Sequence, residues 1–145
     1  MRWIATLSLI ITSWASTAQT SIRWADLEQV GFEEFYDRDR SEWSMQASFS
    51  ESVRDLNGVE IEITGYTIPL DVSGEVYVLS AFAFSSCFFC GGAGPESVMG
   101  LNFKESPDRL NTDDVIAVRG TLRLNRNPGL EFHYMLDNVE LIRRY

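Results

Sequence analysis

The chain of 145 residues has little of what most enzyme chemistries require. It has one histidine, His133, so a serine–histidine–carboxylate triad has a single imidazole to draw on. Neither G-x-S-x-G nor H-E-x-x-H occurs. The glycine-rich "CGGAGPE" lacks the Gly-Lys-Ser/Thr ending of a phosphate loop. Nothing pairs the carboxylates of "EEFYDRDRSE" for glycosidase-type acid/base work. The charged run "EEFYDRDRSE" reads instead as a solvated helical face whose carboxylates pair with Arg38 and Arg40. The sequence therefore does not read as an enzyme. Positive charge is also scarce: 12 Lys and Arg stand against 21 Asp and Glu, a formal net charge of -9. Such a chain is repelled by nucleic acid and by anionic lipid. Its acidity favours solubility, and it can attract a cationic partner or metal ions.

Long apolar runs are absent after the N-terminus, so no segment is expected to span a membrane. The one early run, "WIATLSLIITSWA", is too short to cross a bilayer comfortably. Arg2 precedes it and the small residues Ser16, Thr17 and Ala18 follow, which is the pattern of a secretory signal peptide cut after Ala18. No cysteine follows the run, which disfavours a lipid anchor. The expected product starts at Gln19 and is periplasmic or secreted. Loss of Arg2 takes its charge from -9 to -10 (-9 - 1).

Three segments follow from this: a signal peptide over 1–18, a polar and helix-friendly extension over 19–57, and a β domain over 58–145. In the extension, "WADLEQV" and "SESVRDLNG" read as short helical pieces, the second capped by Ser50. Trp24 and Trp43 are its expected anchors. From Gly58 the pattern turns to period two. Val59, Ile61 and Ile63 alternate with Glu60, Glu62 and Thr64. "IPLDVSGE" reads as a turn. The run from 76 to 84 reads as a buried strand, and "GPESVMGLNF" as a short helix with Pro95 near its first position. Ile116, Val118, Gly120, Leu122 and Leu124 line one face of a further strand. "NRNPG" is a turn, and "LEFHYML" begins a last strand with a bulge at Asp137-Asn138. The predicted class is mainly β: a small OB-like Greek-key barrel with one short helix, bent tightly at Gly65 and Gly120, and an N-terminal helical extension.

"LNGVEIEITGYTIPLD", a hydrophobic strand and then "SSCFFC" carry a resemblance. Together they resemble an uncharacterised family of exported bacterial domains, over roughly residues 53 to 142. Its members share a strand ending in Gly-Tyr/Phe-x-x-Pro-Leu, here Gly65, Tyr66, Pro69 and Leu70. They then carry Ala-Cys-Ile-His and a proline-rich turn. The resemblance implies an OB-like exported domain and no particular activity. Here Cys87 takes the place of the family's cysteine, Phe89 stands where its histidine would be, and Gly91 to Gly94 replace the prolines.

Both cysteines lie in one C-x-x-C, Cys87 and Cys90, and three readings stay open. In an oxidising compartment the pair is a disulfide by default, yet so short a loop gives only about 2 kcal/mol against about 3 for fifteen residues. As a redox pair it would need one thiol activated, most readily at a helix N-terminus. The expected helix begins too late for that, and no Trp-Cys-x-Pro-Cys pattern is present. As a metal grip, two sulfurs at this spacing can share one ion, with the following glycines allowing backbone amides to reach the sulfurs. Zinc wants further ligands, for which His133 and Glu96 are candidates. Copper(I) is satisfied by two or three soft donors, which admits Met99. A zinc or copper ion held by Cys87, Cys90 and some of His133, Glu96 and Met99 is the leading expectation. The alternatives are a thiol-disulfide protein and an OB-type interaction module in which the pair is only a structural disulfide and the barrel face binds a protein partner. In that last reading the aromatics Tyr66, Phe82, Phe84, Phe88 and Phe89 matter, and the turn between the cysteines is expected to expose Phe88 or Phe89.

Overall fold

The computed structural model describes residues 20–71 and 76–145. The expected signal peptide and part of the expected turn after Ile68 lie outside the described residues. The chain is mainly β. Strand β1 is Thr20–Ser21, β2 is Val30–Asp37, β3 is Glu42–Phe49, β4 is Glu60–Pro69, β5 is Tyr77–Ser80, β6 is Val98–Phe103, β7 is Val115–Leu124 and β8 is Tyr134–Arg144. Among the described residues the single α-helical segment, α1, is Glu51–Arg54. No helix among the described residues is long and apolar enough to cross a membrane.

Five strands close into a small barrel in the order β4-β5-β6-β8-β7, with β7 pairing back onto β4. All its pairings are antiparallel except β6 with β8. The period-two reading holds for β4 and β7. Ile61 and Ile63 of β4, and Ile116, Val118 and Leu122 of β7, point into the barrel with Leu79, Met99, Tyr134 and Leu136. Alternation along a pleated strand sends neighbours to opposite faces, so Val78 and Val98 turn outward into a second, smaller apolar cluster with Ile68 and Cys87. The expected bulge is present: the β7–β8 register shifts between Arg119 and Thr121, and Asn138 takes φ 55°.

The structure corrects several expectations of secondary structure, three of them here. The extension over 19–57 is not helical in the main. "WADL" forms one 3-10 turn, α1 is a single turn, and residues 30–49 form the antiparallel hairpin β2–β3. Its aromatic residues suit a pleated surface, and "DRDRS" is its turn. There the Asp37 carboxylate accepts from the backbone N–H of Asp39 and Arg40 at 2.9 and 3.2 Å, and Ser41 takes φ 55°. Asp37, Arg40 and Glu42 still pair, at 3.8 and 4.0 Å, but around a hairpin turn rather than along a helix. Second, the helix expected over "GPESVMGLNF" is one 3-10 turn, Pro95–Ser97, followed directly by β6. Pairing with β5 and β8 overrides the local helix signal there. Third, the strand expected over 76–84 ends at Ser80, where its ladder with β4 and β6 ends.

Trp24 anchors the extension as expected, its indole N–H donating to the Thr64 carbonyl at 2.9 Å. Trp43 does not: it is 71% exposed, near the hairpin turn. Ile22, Leu27, Ala47 and Val53 are the buried apolar anchors instead, and the Tyr134 hydroxyl ties the extension to the barrel by donating to the Leu27 carbonyl at 2.7 Å.

Gly65 and Gly120 are where the backbone of a neighbouring strand comes close. A Cβ on Gly65 would stand 2.6 Å from the Ser80 carbonyl oxygen, and one on Gly120 would stand 2.7 Å from that of Asp137. Both contacts are with backbone, so relief requires strands to move. Overpacking of this kind costs about 1–3 kcal/mol. Gly65→Ala is therefore expected to lower the urea midpoint clearly, whereas Gly31→Ala on the exposed hairpin, where nothing lies within 4 Å, leaves it nearly unchanged. Equal midpoints for the two variants would contradict this packing.

Candidate functional site

The cysteine turn covers the outer face of the barrel. After β5 the chain makes two successive 3-10 turns, Phe84–Ser86 and Phe88–Cys90. The first is held by Asp113, whose carboxylate accepts from the Phe84 N–H at 2.7 Å. The second closes at Gly91, which takes φ 72°, a conformation glycine adopts without steric cost. Gly92 lies against Ser86, where a Cβ would stand 2.5 Å from the carbonyl oxygen.

This turn separates the two sulfurs by environment. Cys87 is fully buried among Ile68, Val78 and Val98, and Cys90 is exposed. Both are free thiols. The Cys90 thiol is pushed up from its ordinary range, first by desolvation, then by the charge and the thiol hydrogen bond of Cys87. The amides that were expected to turn toward sulfur go elsewhere: the N–H groups of Cys90 and Gly92 both donate to the Cys87 carbonyl oxygen, at 3.2 and 3.1 Å. At Cys90 the turn thus favours the neutral thiol over a reactive thiolate.

The other expected ligands are not gathered around the pair. Among the described residues, no three His, Cys, Asp or Glu side chains are grouped to hold an ion. Met99 is fully buried in the barrel interior, whereas its neighbour Val98 faces the cysteine turn. The Glu96 carboxylate folds back over Gly94, and its charge raises the hydroxyl of Tyr134, which burial raises more strongly.

His133 sits just before β8 rather than within a strand, and it is nearly buried. Its Nδ1 lies 3.0 Å from the Asn125 carbonyl oxygen. A carbonyl only accepts, so Nδ1 carries the proton and Nε2 the lone pair. Burial lowers the pKa of the ring, against the opposing effect of that hydrogen bond. Phe32 of the hairpin lies against the imidazole, with centroids 5.0 Å apart.

A cavity of about 210 Å³ opens between the hairpin, the cysteine turn and the loop before β8. Met45, Phe88, Val98, Phe132 and His133 form its walls. Phe88, Phe89 and Phe132 make a chain of edge contacts beside it, at 5.6 and 6.1 Å. Phe88 is half-buried, and Phe82, Phe84 and Phe89 are 47%, 43% and 42% exposed. Sequence reasoning marked Phe88, Phe89 and His133 individually. It missed Phe32, Met45, Asn125 and Phe132 as their neighbours, because these meet only through long-range packing and no local spacing signals it.

No family model matches the sequence, and no curated protein does. Among solved structures the chain is similar to the crystal structure of a DUF3299 family protein from Pseudomonas aeruginosa PAO1. Identity is 15%, the match covers 87% of this chain and 97% of that one, and the TM-score is 0.55. At that identity the likeness speaks for the fold alone. It agrees, at that level, with a resemblance to an uncharacterised family.

The burial difference sets the reactivity of the thiols. In the reduced native protein, iodoacetamide is expected to alkylate Cys90 and leave Cys87 protected until denaturant is added, as read by peptide mass spectrometry. Because the Cys90 thiol is raised, its rate at pH 7 falls below that of a free cysteine peptide and keeps climbing above pH 9. Equal labelling of the two in the native state, or fast labelling of Cys90 at pH 7, would be inconsistent with this site.

Proposed function

We propose that this chain is a non-enzymatic, exported metal-handling domain on an OB-type barrel, and that Cys87 and Cys90 grip one soft monovalent ion. The observation that carries the reading is a single 3-10 turn that holds two free thiols three residues apart, with no third His, Cys, Asp or Glu grouped beside them among the described residues. Structural zinc takes four ligands in a tetrahedron, and two sulfurs do not supply them. Copper(I) prefers soft thiolate ligands and is satisfied by fewer donors. The donor set therefore fits copper(I) better than zinc. Cys87 would hold the ion from the apolar side and Cys90 from the solvent side. Binding requires both sulfurs as thiolates, so it releases protons and strengthens as pH rises.

A second reading rests on the exposed Phe82, Phe84 and Phe89 around the same turn. They suit an interaction module that presents aromatic side chains to a protein partner. The thiol-disulfide reading is weaker, since the raised Cys90 thiol is the reverse of an activated nucleophile.

Titration of the reduced protein with copper(I) against bicinchoninate, without oxygen, tests the first reading. One ion per chain is expected, with no stoichiometric zinc. Loss of a group behind a ligand typically costs about 10–100-fold in affinity, so loss of a ligand itself in Cys90→Ser is expected to cost ~100-fold or more. Copper(I) binding unchanged in Cys90→Ser would overturn the reading.

A further inference from the structure

The cavity beside the cysteine turn has a chemistry of its own, which uses neither sulfur. Its walls are almost wholly apolar: Met45 from the hairpin, Phe88 from the turn, Val98 from the barrel and Phe132 from the loop before β8. Two polar groups border it, His133 and Glu131. Glu131 is already engaged. Its carboxylate accepts from the Arg123 guanidinium at 2.8 and 3.2 Å and from the Asn125 amide at 3.1 Å. Arg123 holds that carboxyl below its ordinary range, so it stays charged and fixed to its partner. The cavity thus makes no strong demand for a cation.

His133 is the polar group left over. Its Nδ1–H is committed to the Asn125 carbonyl, which leaves the Nε2 lone pair as an acceptor. Among the described residues Nε2 has no hydrogen-bond partner, and it is not one of the buried atoms cut off from solvent. Burial also keeps the ring neutral, so the lone pair is available around pH 7. Phe32 on one side and the Asn125 carbonyl at Nδ1 fix the plane of the imidazole.

Size narrows the occupant. Drug-sized ligands fill sites of about 300–1,000 Å³, whereas an apolar cavity of about 150 Å³ holds one benzene. A volume of about 210 Å³ corresponds to a single ring with a small substituent. The aromatic walls suit a ring face or edge, and a bare nitrogen acceptor suits one hydrogen-bond donor on it.

We propose that this cavity binds small single-ring aromatic compounds carrying one neutral hydrogen-bond donor, of the phenol class, with the donor directed at His133 Nε2. Phenol itself is the probe and anisole is its control. Anisole has the same ring and oxygen but no O–H to donate. The native protein, observed by ¹H–¹³C NMR of the histidine and methionine side chains, is expected to bind phenol saturably, shifting signals of His133 and Met45. Phenol should bind about fivefold more tightly than anisole, the size of one net hydrogen bond. His133→Phe keeps a ring in place and removes the acceptor, and is expected to erase that preference while the methyl spectrum stays folded. The ligand pair tests the native protein directly, so the proposal does not depend on the variant folding. It is overturned by shifts that do not saturate, by anisole binding as tightly as phenol, or by perturbations that map away from His133 and Met45. These outcomes are independent of copper(I) binding, so either site can fail without the other.

Discussion

Strand β4 is paired on both of its edges, and the barrel exists because of it. From Glu60 to Tyr66 it runs against β7, and from Tyr66 to Pro69 it runs against β5. β1 lies parallel beside Ile61 and Glu62, and the changeover from β7 to β5 falls next to Gly65. The Ser80 carbonyl approaches the spot where a side chain would begin. Closure of the ring leaves β4 through β8 with no free edge on that side of the fold. It also gives every strand a strict inside and outside. Those two faces have separate fates: one builds the main core, and the other supports everything added to the barrel.

The cysteine turn is such an addition. Its seat consists of outward residues, Ile68, Val78 and Val98, that a bare barrel would leave wet. Burying Cys87 there covers this apolar surface at a typical gain of about 25 cal/mol per Å². The same act takes the Cys87 sulfur out of water, while the exposed Cys90 thiol is raised, first by desolvation and then by Cys87. Packing and chemistry are therefore coupled in this turn: the burial of Cys87 that holds it down sits beside a Cys90 thiol raised above its ordinary range. Phe88 belongs to both environments, packing on the outer cluster while forming one wall of the adjoining cavity.

The loop before β8 is organised by charge rather than by apolar contact. Arg123 of β7 bridges Glu131 in the loop and Asp137 in β8, the latter at 2.6 Å, and Asn102 donates to Asp137 from β6 at 2.6 Å. Both carboxyl groups are held below their ordinary range, by Arg123 first. The network pins the chain on either side of His133. With Asn125 accepting from its Nδ1, it orients an imidazole that the surrounding apolar walls alone would leave free to turn.

Much of this fold was legible in the chain itself. The alternation of Ile61 with Ile63, and of Ile116, Val118 and Leu122, is a local pattern with one physical solution, a strand half in and half out of a core. The pair Cys87 and Cys90 and the glycines after it marked the turn that covers the barrel. What misled the reading was also local. Charges around Phe35 and Tyr36 imitate a helical face, yet cross-strand pairing makes them a hairpin, and Pro95 signals a helix start that β6 cuts to one turn. The sequence by itself determined which residues could be core, where the chain could bend, and that its two sulfurs would be neighbours. Only the tertiary structure decided that Met99 faces away from those sulfurs, that Cys87 is buried while Cys90 is not, and that His133 meets Met45 and Phe88 across a cavity. Those facts depend on which face of each strand is covered and by what, and long-range packing sets that, with no trace in residue spacing.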